Sequence, residues 1–179
     1  MGQWEAVRSD IGIMHTLFSI EGAYKAVYPK PVDFIFEQDL DKGELPYKTI
    51  LMPNPYLLSM KQYNNLKNWI KDGGTLITEA RFGLKDENGH LYPNPLLEDL
   101  LGIVYDHTEV TKDGFLDTVK NVEANFSSPK NGGLKTAATK KKITTKKLCK
   151  GKVVYANYSL FLEIKNGLKG KKPQIPDIF

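Results

Sequence analysis

Glu79, Arg81, Lys85, Asp86, Glu87, His90 and Tyr92 fall in one short polar run behind the apolar segment Thr75-Leu76-Ile77-Thr78. Two carboxylates on one loop, Glu79 and Asp86, are the pattern that glycoside hydrolysis requires: one protonates the leaving group while the other attacks or activates water. His90, close to Asp86 and Glu87, is a candidate acid or base. Each has a plainer alternative. Glu79 can pair with Arg81 and shape the loop, and His90 can be a surface histidine with nothing to orient its ring. The plainer alternatives are preferred, because carboxylates at strand ends are common and catalytic pairs are rare.

The elements around this run explain its placement. Gly73-Gly74 stops a helix and Thr75–Thr78 reads as a strand. The loop beyond the carboxyl end of a strand in an open parallel sheet is where ligands and partners dock. The helix before it starts at a capping box, Ser59 with Gln62, and buries Tyr63, Leu66, Trp69 and Ile70. Before that lies a strand, Thr49–Met52, closed by Pro53-Asn54-Pro55, which places Asn54 at the same end of the sheet.

Upstream, Ile13, Leu17, Ile20, Tyr24 and Val27 recur at helical spacing from Asp10 until Pro29 and Pro31 end the pattern. Val32–Phe36 reads as a strand and Glu37–Glu44 as an acidic loop. Downstream, Pro93 and Pro95 introduce a short helix, Leu96–Leu101. Ile103-Val104-Tyr105 reads as a fourth strand and Phe115–Val122 as an antiparallel edge strand. Lys152–Ala156 is a last strand, and Leu160–Leu168 looks helical. Strands alternating with amphipathic helices predict an α/β domain with a mainly parallel sheet and helices on both faces.

The length of 179 residues suits one domain, and the 41% apolar fraction suffices for a core. No apolar run is long enough to span a bilayer, and the N-terminus shows no signal-peptide pattern, so a cytoplasmic location is the expectation. The single cysteine, Cys149, can form neither an internal disulfide nor a cysteine-based metal site, and no base neighbours it in sequence.

The formal net charge of +4 hides an asymmetry. Residues 126–152 hold nine lysines and no acid, leaving 16 basic against 21 acidic residues elsewhere, a balance of −5. The stretch from Asn125 to Lys152 reads as a mobile, solvated excursion. It lacks the interleaved aromatics that stack bases, so nucleic acid is not the expected partner.

Several chemistries find no motif here. No glycine run links a strand to a helix and no phosphate-binding lysine motif is present. Thr75–Thr78 is followed by Glu79-Ala80-Arg81, so no Ser or Cys stands at a nucleophile elbow. His15, His90 and His107 show no metal-ligand spacing. No catalytic residue, cofactor or metal is expected.

Several runs, taken in order, resemble the trimerisation domain of glycoside hydrolase family 42 β-galactosidases. They are Val32-Asp33-Phe34-Ile35, Tyr47-Lys48, Leu51-Met52-Pro53-Asn54-Pro55-Tyr56-Leu57-Leu58, Gly73-Gly74-Thr75-Leu76, Ala80-Arg81-Phe82-Gly83, Asp86-Glu87-Asn88-Gly89 and Gly151-Lys152-Val153-Val154-Tyr155. The resemblance spans about Gly12 to Leu168. It implies a three-layer, flavodoxin-like sandwich related to class I glutamine amidotransferases but lacking their catalytic cysteine. It also implies that catalysis belongs to a separate N-terminal (β/α)8 barrel outside this chain.

The strand that opens this domain in the family is absent here or hidden in Trp4–Arg8, and the family's small C-terminal β domain is missing. Residues 1–179 are then one assembly domain carrying the excursion at about 125–152. Its expected partners are further copies of itself, as a trimer, and the barrel of the same polypeptide; a membrane is not among them. The candidate interface or cleft loop comprises Asn54, Glu79, Arg81, Phe82, Asp86, Glu87, His90 and Tyr92, with Phe82, Leu84 and Tyr92 expected as exposed contacts. Two alternatives stay open: a module that binds carbohydrate or an anion through Arg81 or the lysines, and a small hydrolase using Glu79, Asp86 or His90.

Overall fold

The computed structural model describes residues 33–52, 55–79, 82–94, 96–102, 104–105, 121–122, 143–158 and 160. The expected helix after Asp10, Asn54, Arg81, Lys140–Lys142, most of the expected strand before Val122 and the expected helix beyond Leu160 lie outside these residues.

The first described segment corrects the reading of the sequence. Asp33–Phe36, expected as a strand, is irregular, and the expected acidic loop opens as helix α1 (Glu37–Lys42). Phe36 is extended, and the Asp39 carboxylate accepts its N–H at 3.0 Å, satisfying a donor ahead of the first turn. Gly43, at φ +75, ends the helix by donating to the carbonyls of Asp39 and Leu40. Leu40 is the helix's buried side chain. Asn65 on the next helix donates to the Leu40 and Asp41 carbonyls at 2.8 and 3.1 Å, so bonds from a neighbour replace an apolar stripe.

Strand β1 (Thr49–Met52) leads to helix α2 (Met60–Lys71). Both halves of its capping box form: Ser59 Oγ accepts from the Gln62 amide and Gln62 Oε1 from the Ser59 amide, each at 3.1 Å. Tyr63, Leu66 and Ile70 are buried, and half-buried Trp69 donates its ring N–H to the Tyr47 carbonyl at 2.9 Å. The two glycines that follow have separate roles. Gly73 adopts a positive φ, and Gly74 passes so close to the Trp69 ring that a Cβ there would lie 2.4 Å from it.

Beyond them come β2 (Thr75–Glu79), α3 (Leu96–Leu101), β3 (Val104–Tyr105), β4 (Asn121–Val122), β5 (Ile143–Leu148) and β6 (Gly151–Ala156). The main sheet runs β1-β2-β6-β5 and is mixed: β1/β2 and β2/β6 are parallel, β6/β5 antiparallel. The short β3 and β4 pair antiparallel with each other. The lysine-rich stretch is corrected over its last ten residues. Residues 143–152 form a regular hairpin, in which alternating side chains give β5 one more exposed face, as an edge strand tolerates.

Alternation along the strands divides the core in two. Ile50, Leu76 and Val153 stand in one row and pack with Leu66, Ile70, Phe82 and Leu97 on the helical side. Leu51, Ile77 and Val154 form the next row, which turns to the opposite face and packs with Ala156, Tyr158 and Leu160. Both faces of this sheet are therefore covered.

Candidate functional site

The register brings the carboxyl ends of three parallel strands together at Met52, Glu79 and Ala156. Thr78 faces the helical side, is fully buried, and donates its hydroxyl to the Met52 carbonyl at 3.3 Å. Glu79 points to the other side, in the row of Ile77 and Ala156, and is only 2% exposed. Its carboxylate accepts the backbone N–H of Leu160. A carboxylate so placed braces the backbone. Asn157 and Tyr158, directly after β6, are also buried here. The sequence marked them only by their position behind an apolar strand.

The loop that follows is built mainly from backbone bonds. Gly83 donates to the Pro55 carbonyl at 2.8 Å, Lys85 to Tyr56 at 3.1 Å, and Leu58 to Lys85 at 3.1 Å. The loop therefore runs beside residues 55–58, then folds back so that Tyr92 donates to Leu84 at 3.1 Å. Gly83 is in the left-handed region at φ +54, and a Cβ on it would meet the Leu96 side chain. Phe82 and Leu84, expected as exposed contacts, are instead core residues, 0% and 1% exposed. Phe82 sits edge-on to Tyr63 with ring centroids 6.5 Å apart. Tyr92 is half-buried, and its hydroxyl donates to the Leu58 carbonyl at 2.9 Å. Burial, then the charges of Glu87 and Asp86, push its pKa up.

The turn itself is organised by Asp86. One carboxylate oxygen accepts the amides of Asn88 and His90 at 2.9 and 2.8 Å, and the other lies 3.3 Å from His90 Nδ1. The His90 amide, first, and then the Asn88 amide hold Asp86 below the usual carboxylate range, against some desolvation. His90 remains largely exposed, as does Glu87. The expected carboxylate dyad is thus divided between two separate tasks: Glu79 braces Leu160, and Asp86 closes a turn.

A second polar group joins α2 to α3 and has little signature in the sequence. Asp99 on α3 accepts the Tyr63 hydroxyl and, at 2.5 Å, the Lys67 ammonium, both from α2. Lys67 first and Tyr63 second draw the Asp99 pKa down, while burial and the Asp99 bond raise that of Tyr63. The pair Tyr63 and Lys67 at helical spacing was its only sequence signal.

Cys149 lies in the turn between β5 and β6. That is the amino-terminal end of β6, opposite the end where the parallel strands finish. Among the described residues no three His, Cys, Asp or Glu side chains gather as metal ligands, and no helix is long and apolar enough to cross a membrane.

Residues 24–161 match a family model described as the beta-galactosidase trimerisation domain. The beta-galactosidases BgaB of a Geobacillus species and bgaB of Geobacillus kaustophilus are each 36% identical over 106 residues, a match covering 52% of this chain and 15% of theirs. Among solved structures, Gan42B, a GH42 beta-galactosidase from G. stearothermophilus, superposes with a TM-score of 0.55 at 21% identity, over 92% of this chain and 26% of that one. The beta-galactosidase of a Rahnella species gives a TM-score of 0.54 at 14% identity, over 84% of this chain and 25% of that one. These two are likenesses of fold. This chain corresponds to between 15% and 26% of the length of these relatives.

Proposed function

The chain belongs to the beta-galactosidase trimerisation domain family, and from that premise we propose that its work is assembly: it joins copies of a beta-galactosidase subunit into a trimer and breaks no bond itself. One observation carries the proposal beyond the family match. Where the parallel strands end, the only described acidic strand-end residue, Glu79, is buried and engaged with the Leu160 backbone, and the chain's one thiol lies at the opposite end of the sheet. A site arranged this way supports neighbouring structure; it offers no attacking group to a substrate.

Residues 1–179 then act as one domain of flavodoxin-like, three-layer design related to class I glutamine amidotransferases. The two parallel ladders and the burial of both sheet faces support that form. Hydrolysis of a β-galactoside belongs to a (β/α)8 barrel on the N-terminal side of the same polypeptide, the second expected partner. In the loop, Asp86, Glu87, His90 and Tyr92, with Asn54 and Arg81, are the contact candidates, while Glu79 and Phe82 support them from within.

Light scattering on the purified chain, over a range of concentrations, tests the proposal. The expected result is a trimer with no turnover of a galactoside. A chain that stays monomeric when concentrated counts against assembly. Hydrolysis that disappears in His90→Ala, at a largely exposed side chain, would transfer the assignment to the enzyme alternative.

A further inference from the structure

Helix α2 sets out a direction across the domain. Asn65 donates to carbonyls of α1, whereas Tyr63 and Lys67 donate to Asp99 of α3. Asn65 is two residues from each, so it points about 200° away from them around the helix axis. Leu66 and Ile70 are buried with the sheet residues between them. Helices α1 and α3 therefore flank α2 on opposite sides. Tyr47, just ahead of β1, donates its hydroxyl to Asp33 at 2.9 Å, which ties the α1 segment to the β1 edge of the sheet, and β5 is the opposite edge.

These two flanks carry opposite charge. Residues 33–44 hold Asp33, Glu37, Asp39, Asp41 and Glu44 against Lys42, a balance of −4. Residues 143–152 hold Lys146, Lys147, Lys150 and Lys152 and no acid, a balance of +4. Each flank also presents exposed apolar side chains: Phe34 and Phe36 at 43% and 67% on the acidic one, Ile143 at 40% on the basic one. Lys147 stands directly opposite Lys152 in the hairpin register, and like charges so placed cost stability.

We propose that the acidic α1 flank of one copy docks on the basic β5–β6 hairpin of a second copy, and that this one contact, repeated, closes the ring. The inference rests on the assembly function proposed above and says which surfaces perform it. A three-fold ring needs two different, complementary patches on each subunit, because its contacts are heterologous. A patch of one sign cannot pair with itself but is attracted to its opposite, and the exposed apolar groups supply anchors once charges have steered the encounter. An incoming acidic surface also relieves the Lys147–Lys152 repulsion.

Sedimentation equilibrium at low and high salt, on the whole chain and three variants, tests this. The variants are Glu37→Lys with Glu44→Lys, Lys147→Glu with Lys150→Glu, and all four together; circular dichroism checks that each is folded. The expected wild type is a trimer that loosens as salt screens the contact. Each single-flank reversal sediments as one chain of 20.2 kDa, and the combined reversal restores the trimer. If both single-flank variants stay trimeric, or the combined one stays monomeric, the inference is overturned and the assembly function stands. In that case the lysines merely guard an edge strand. A wild-type chain that is monomeric at every concentration removes the assembly function and this contact with it.

Discussion

Gly151 lies against Ile70 so tightly that a Cβ added to the glycine would sit 2.0 Å from the Ile70 carbonyl oxygen and 2.3 Å from that of Gly74. The contact is backbone against backbone, where α2 crosses the start of β6. Around it Lys150 donates to the Lys71 carbonyl at 3.2 Å and Lys152 to that of Gly74 at 3.1 Å. The missing side chain is what lets the helix end and the hairpin meet.

Gly151→Ala should therefore be among the costliest single-methyl changes in the chain. No flexible side chain can move aside, so helix and hairpin must separate, at about 3 kcal/mol or more, the upper end for overpacking. Urea unfolding checks it: the midpoint should fall while the slope stays constant. Gly89→Ala is the control, since a Cβ there meets nothing within 4 Å. It should lose only what its positive φ imposes, about 1 kcal/mol.

The Asp99 cluster predicts stability at both ends of the pH scale. The Asp99 pKa is depressed in the folded chain, so its contribution is present above the ordinary carboxylate pKa and is lost as pH falls through the folded value. The Tyr63 pKa is raised, so its contribution is complete below 10.0, the usual tyrosine value, and is lost only as pH rises beyond it. Asp99→Asn should lower stability near neutrality and flatten the acid arm, its curve meeting that of wild type at low pH, and Tyr63→Phe should flatten the alkaline arm. Because Asp99 is 54% exposed, its ion pair with Lys67 should contribute less than about 1 kcal/mol near neutrality. Thermal melts of both variants across pH would show it. Curves parallel to wild type would refute the coupling.

Cys149 occupies the left-handed region at φ 54, in the two-residue turn between Leu148 and Gly151. A side chain there is strained by about 1–2 kcal/mol, and glycine removes the strain while adding freedom to the unfolded chain. Cys149→Gly should stabilise the protein by about 0.5–1 kcal/mol, visible as a rise in Tm. Cys149→Val, β-branched at the same position, should destabilise it.

What the sequence disclosed depended on whether a residue's role was local. Ser59, Gln62, Gly73 and the leucines from Leu96 to Leu101 act within a turn or two of themselves, and each was legible. Helix α1 was not, because it buries a single side chain, Leu40, and leans on Asn65 from another element. Strand β5 was hidden by its lysines, which an edge strand accepts but a central strand would not. Phe82 and Leu84 were misread for a related reason. They sit in a loop without periodicity, and only the long-range bonds of Gly83 to Pro55 and Lys85 to Tyr56 turn them inward. The loop's position at the strand ends was legible; which side chains it keeps at the surface was not.

Glu79 offers the sharpest separation between scaffold and catalyst. A catalytic carboxylate tolerates replacement without loss of fold but not without loss of activity, and a bracing one does the reverse. Glu79→Ala removes the acceptor for the Leu160 N–H and leaves that donor buried, which should cost about 3 kcal/mol once the vacated volume is included. Glu79→Gln keeps a carbonyl oxygen for the same N–H and should cost clearly less, about 1 kcal/mol. Denaturation midpoints should therefore rank wild type, Glu79→Gln, Glu79→Ala, with sedimentation unchanged in the folded Gln variant. Equal loss of stability in both variants would show that the charge, and not the Leu160 bond, is what matters. No loss in either would show that the carboxylate braces nothing.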